Sequence, residues 1–253
     1  MNATPAPDDP RRAALAPDGS MATRDGLAQR WALTARLTLV LLRRDLVILA
    51  RSRDTLGLVL MFAALCVLLF AFGFLREGAA AAEIAPGALW VTLLFSTTLA
   101  TLRLFAADEE AGALHHCLHS AAGASPLFFA KALMQGLFGA LITALLLPLV
   151  WLFFSAPAVA LPQVLAALGL GLIGQALLGT LVAALMVHVR LRELLLPLLL
   201  YPLTTPLLIA GVKVTAISLG GGDLAQTTPW LGLMVVFDAV LLLLSPWLFA
   251  RAT

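Results

Sequence analysis

Six stretches of this chain are long and apolar enough to cross a lipid bilayer. They are TLGLVLMFAALCVLLFAFGFL (55–75), ALWVTLLFSTTLATLRLFAA (88–107), FFAKALMQGLFGALITALLLPLVWLFF (128–154), LPQVLAALGLGLIGQALLGTLVAALMV (161–187), LLLPLLLYPLTTPLLIAGV (194–212) and PWLGLMVVFDAVLLLLSPWLFA (229–250). At about 1.5 Å of rise per residue, roughly 20 residues span a hydrocarbon core about 30 Å thick. Lipid offers the backbone no hydrogen-bond partner, so runs of this length must satisfy their own N–H and C=O groups as helices. Composition agrees: 61% of the 253 residues are hydrophobic and 12% are charged, whereas a soluble domain is about half apolar and about a quarter charged. The expected fold is an all-α membrane protein with six transmembrane helices.

The residues before the first run divide in two. Residues 1–26, rich in Pro, Ala, Asp and Arg, carry neither a helical apolar stripe nor the charged-then-apolar layout of a signal peptide. They are expected to form a disordered tail, within which Met21 is an alternative start. Over residues 27–52 the pattern changes: Trp31, Ala35, Leu39, Leu42, Leu46 and Leu49 recur at helical steps, while Arg36 and Arg43, and Arg44 and Arg51, repeat on another face. This spacing predicts an amphipathic helix lying in the membrane surface, with its arginines at anionic head groups. An amphipathic helix packed on protein would show the same spacing.

Positive charge in short connections marks the cytoplasmic side. Of the 16 Lys and Arg residues, all but Arg76 and Lys213 fall before the first span, about the second and fourth connections, or after the sixth span. Both termini are therefore expected in the cytoplasm, together with the connections that follow spans two and four.

The connection after span two, FAADEEAGALHHCLHS (105–120), holds three acids in a row, three histidines and one of the two cysteines. HHCLH invites a metal or haem reading. On a helix, His115 and His119 share a face, but His116 points aside and Cys117 nearly opposite. His188 is the one other histidine, so a four-ligand site lacks a second cluster. Direct haem or metal binding through His115 and His119 stays an alternative to a solvated helix face. Over 106–120, Ala107, Ala111, Leu114 and Leu118 form a stripe, with Asp108, Glu109 and Glu110 at the expected N-terminal end, where acids suit the helix dipole. Such a helix offers a grip to a soluble partner, and its acids disfavour anionic lipid. The chain has no phosphate-binding GxxxxGK[ST] loop and no catalytic constellation. Any ATP hydrolysis is expected in another chain, and Cys66 and Cys117 have no CxxC or CxxCH spacing.

Several residues stand out within the runs. Asp238 lies near the middle of the sixth, where an acid is costly and marks a functional candidate. Equally, it can be a protonated or hydrogen-bonded group facing another subunit or Thr97 and Thr98. Pro148, Pro197, Pro202 and Pro206 are expected to kink or interrupt spans three and five. Gly169, Gly171, Gly174 and Gly179 suggest close approach of neighbouring subunits, and Trp90, Trp151, Trp230 and Trp247 suggest interfacial anchors.

EIAPGALWVTLLFSTTLATLRLFAADEEAGAL (83–114) and LLLPLLLYPLTTPLLIAGV (194–212) resemble the two signature regions of the CcmB family, the permease subunit also called haem exporter protein B. The arginine-rich first helix, AKALMQGLF, LGLGLIGQALLGTLVAAL (168–185) and the SPW near the C-terminus extend the resemblance over roughly residues 35–250. It implies an ABC-2-exporter-like, non-catalytic subunit of the bacterial inner membrane. This subunit would work in cytochrome c maturation and bind no cofactor directly: ATP would sit on a partner and haem would be handled by the complex. The implied partners are a CcmA-like ATPase, a CcmC-like haem-handling membrane subunit, a CcmD-like single-span subunit, a CcmE-like haem chaperone and a second copy of this chain. Arg103, Phe105, Glu110, Gly112 and Leu114 match the segment expected to dock into the ATPase. Asp108, Glu109 and Leu118 join them from the helical pattern. Pro86, Gly87 and Trp90 match the start of span two, and Pro202, Pro206 and Leu207 match span five. The chain departs from the family pattern at Leu102, where an acid is common, and in HHCLHSAAGASP.

Overall fold

The computed structural model describes residues 33–47, 53–74, 80–110, 125–154, 160–186, 189 and 191–252. These form seven α-helices: α1 (33–47), α2 (Arg53–Phe74), α3 (Ala80–Glu110), α4 (Ser125–Phe154), α5 (Leu161–Leu185), α6 (Arg192–Leu219) and α7 (Thr228–Ala252). A short 3-10 turn, Leu224–Thr227, precedes α7. Helices α2 to α7 each contain a window long and apolar enough to cross a membrane. The protein is therefore a six-span, all-α membrane protein preceded by a shorter helix. The N-terminal 26 residues lie outside the described residues.

Helix α5 packs against α4, α6 and α7, while α3 packs against α2, α4 and α6. These two helices carry the centre of the bundle, with Trp90, Ala100, Ala167 and Leu168 among its buried residues. Close approach is possible because small residues face the large ones. The ring of Trp90 lies against Gly171 of α5 and Gly211 of α6, and a Cβ at either position would overlap it. Its indole Nε1 donates to Thr215 Oγ1 at 2.9 Å, and Thr215 in turn donates to the Gly211 carbonyl at 2.8 Å. Trp90 is thus 2% exposed, a buried pin between three helices and not an interfacial anchor. The glycines Gly171 and Gly174 likewise serve packing within the chain, against Trp90 and against Leu207 and Asp238. Trp247 does sit outward, 53% exposed, with the Arg251 guanidinium 3.8 Å above its ring.

The expected proline breaks are absent from α4 and α6, which run through Pro148 and through Pro197, Pro202 and Pro206. In a membrane helix prolines are tolerated where the surroundings accommodate the freed backbone groups. Thr204 and Thr205, set between two of these prolines, donate one turn back to the carbonyls of Leu200 and Tyr201 at 3.0 and 2.9 Å, not to the Leu198 and Pro202 carbonyls that Pro202 and Pro206 leave without an N–H donor. Helix α6 also continues past Lys213, which was expected in a connection, and ends only at the run Gly220, Gly221, Gly222. There Gly221 adopts φ 69°, a conformation open to glycine. Asp223 then accepts from Ala225 N at 2.9 Å and starts the 3-10 turn.

Candidate functional site

Helix α3 does not stop at the end of its apolar window. The window closes at Leu102, but the helix continues for eight residues to Glu110, about 12 Å further. Leu104, Ala106, Ala107 and Glu109 are good helix formers and no glycine or proline intervenes before Gly112. Arg103, Phe105, Asp108, Glu109 and Glu110 therefore ride on a rigid extension of the second span. Gly112, Leu114, Leu118, His115 and His119 lie outside the described residues.

Asp108, Glu109 and Glu110, expected at the start of a helix over 106–120, stand in the last turn of α3 as described, Ala80–Glu110, and that turn contains no basic residue. Acids at a helix C-terminus face the negative end of the dipole, an arrangement typically unfavourable by about 0.3–1 kcal/mol for each exposed charge. A cationic surface brought to this end would relieve both the mutual repulsion and the dipole.

The other end of the connection, at the start of α4, is clamped. Lys131 Nζ donates to Asp45 Oδ2 at 2.6 Å, and both side chains are more than nine-tenths buried. Thr38 Oγ1 donates to the Pro126 carbonyl at 3.3 Å. Thr38 and Asp45, seven apart, thus hold α1 across residues 126–131. Sequence reading treated Lys131 as a topological marker and passed over Asp45. The available signal was an acid, in LLRRDLV, on an otherwise basic helix.

Between these ends lies a buried polar knot. Gln135 Nε2 donates to the Thr97 carbonyl at 3.0 Å and to Thr101 Oγ1, while Thr101 donates to the same carbonyl at 2.9 Å. Gly179 of α5 closes on this knot: a Cβ there would lie 3.4 Å from Thr101 Oγ1. Helices α3 and α4 are thereby joined through one polar contact, with α5 packed on it through Gly179, about three turns from the connection.

Asp238 sits elsewhere, at the contact of α7 with α5. It is 7% exposed, and neither carboxyl oxygen has a hydrogen-bond partner among the described residues. Thr97 and Thr98 do not serve it: they donate to Leu93 and Leu94 carbonyls of their own helix at 2.8 Å. The nearest surroundings are Gly174 and Leu207; a Cβ on Gly174 would stand 2.5 Å from Asp238 Oδ1. Among the described residues, no group of three or more His, Cys, Asp and Glu is placed to hold a metal ion.

A bundle of six membrane-crossing helices, with a charged helical extension on one side, defines a multi-pass membrane protein. The model of the family described as CcmB protein matches residues 36–253, and the chain belongs to this family. It is 37% identical over 183 residues to the heme exporter protein B of Paracoccus denitrificans, covering 72% of this chain and 84% of that one. The heme exporter protein B of Pseudomonas aeruginosa is 33% identical over 211 residues, 83% of this chain and 93% of its own. That of Rhodobacter capsulatus is 34% identical over 212 residues, 84% and 96% respectively.

Proposed function

We propose that this chain is the permease subunit of an ABC-type complex of cytochrome c maturation in the bacterial inner membrane. It is non-catalytic and couples ATP hydrolysis by a CcmA-like partner to haem delivery, or to release of a haem-loaded CcmE-like chaperone. CcmC-like and CcmD-like subunits complete the assembly, with two copies of this chain. The relatives named as heme exporters support the cargo, and the arginine distribution supports cytoplasmic termini.

The observation that carries the coupling reading is the α3 extension with its three terminal acids. A helix moves as a unit, so displacement of Glu110 by a docked ATPase reaches the span itself. There the contact of Gln135 with Thr97 and Thr101 passes it to α4, and the packing of Gly179 on Thr101 carries it to α5. A basic docking surface fits the acids for the dipole reason given above.

Co-purification from native membranes tests this. A variant carrying Glu109→Lys, Glu110→Lys and Leu114→Asp is expected to lose bound ATPase subunit and ATP turnover while keeping its membrane fold. Unchanged association and turnover would overturn the assignment and return His115 and His119 to consideration as direct ligands.

A further inference from the structure

We propose that the cleft between α4 and α5, beside α1, binds one anionic phospholipid, with an acyl chain in the cleft and the phosphate held by arginines of α1. The cleft measures about 560 Å³, inside the roughly 300–1,000 Å³ range of small-molecule sites. Its lining is entirely Leu, Ile, Phe, Ala and Gly. Small residues, Ala132, Gly136 and Ala140 on α4 and Gly169 on α5, keep the cleft open.

Length separates the occupants. Along α4 the cleft runs from Phe129 to Ala140, about 16 Å, which is one leaflet of a hydrocarbon core about 30 Å thick. A transmembrane helix, from a partner or a second copy, needs a groove through both leaflets. An acyl chain needs one.

Charge then selects the head group. Thr38 and Asp45 fix α1 across the start of α4, so Leu42, between them, lines the Phe129 end of the cleft. Next to Leu42 round the helix, at about 40–60° by the 100° helical step, come the exposed Leu46 and Leu39, and at about 100–120° the exposed Arg43 and Arg36. Neither of these arginines has an ion-pair partner among the described residues. Arginine stems lie along apolar surface while the guanidinium reaches a phosphate. A zwitterionic lipid supplies the same chain without net negative charge, so the arginines favour an anionic one.

The test is native mass spectrometry of the full chain released from nanodiscs containing equal phosphatidylglycerol and phosphatidylcholine. The wild type is expected to retain one phosphatidylglycerol, preferred roughly thirtyfold if two arginines contribute at the usual strength. Arg36→Glu with Arg43→Glu is expected to bring the two lipids to parity. Gly169→Phe fills the cleft from a position where a Cβ meets nothing within 4 Å, and is expected to abolish retention. Leu137→Trp fills it from the other wall and provides the same reading should Gly169→Phe fail to fold. Equal retention of both lipids by the wild type, or undiminished retention in the cleft-filling variants, would overturn the proposal. So would a dimer that Gly169→Phe converts to monomer, which would put a second copy in the cleft.

Discussion

Helices α3 and α7 both cross the membrane, yet 72% of the α3 window is buried in the bundle against 17% of the α7 window. Hydropathy ranks them the other way: the α3 window has the lowest mean hydropathy of the six, and the α2 window, 22% buried, has the highest. In water, burial and hydrophobicity rise together. In lipid the outward faces must be apolar, while inward ones are free to use small and polar residues that hydrogen-bond and pack closely. Buried Thr97, Thr98 and Thr101 of α3 hydrogen-bond in this way, and Thr92 and Ser96 are buried small residues beside them. Here a dip in hydropathy marks the helix that organises the others.

Mutations should separate the two helices sharply. Trp90→Ala opens a cavity between α3, α5 and α6 and removes the bond to Thr215; it is expected to cost about 3–5 kcal/mol in thermal unfolding in detergent. A small effect would break the contrast. Lys131→Ala leaves the buried Asp45 with only the partly exposed Arg44 guanidinium, 3.7 Å away, and is expected to cost about 3 kcal/mol. Adding Asp45→Leu should recover much of this loss, whereas no recovery would mean that the ion pair itself stabilises the clamp. Gly174→Ala pushes a methyl toward Asp238 Oδ1 and Leu207, at about 1–3 kcal/mol. In an Asp238→Ala background the cost should fall, a non-additivity read by a double-mutant cycle. At the rim, Leu243→Ala, 78% exposed, should change stability by no more than about 0.5 kcal/mol.

The six spans were legible because twenty apolar residues leave a backbone little choice, and the helix described over 33–47 was legible from its period within the expected 27–52. What escaped was the part decided by packing. Trp90 read as an anchor because tryptophan near a span end usually is one; only the facing Gly171 and Gly211 make room for it inside. Lys213 read as the end of a span, yet a lysine two turns from a helix end can extend outward, and the three glycines that follow were the stronger stop signal. Asp45 and Lys131 lie 86 residues apart, and nothing local pairs them. The acids after span two were visible, but their position at the end of a helix followed from an uninterrupted stretch of helix formers that the drop in hydropathy concealed. Asp238 was visible as an isolated acid, while its contact with Gly174 was not.

The central claim is that the α3 extension transmits motion as a stiff rod, which docking alone does not require. The most direct measurement softens the rod and leaves the acids in place: Leu104→Gly, Ala106→Gly and Ala107→Gly together, each costing the helix about 1 kcal/mol, scored for ATPase association and for holocytochrome c yield in cells. The account predicts that the ATPase still binds and that holocytochrome c is lost. Wild-type yield from the softened helix would contradict it.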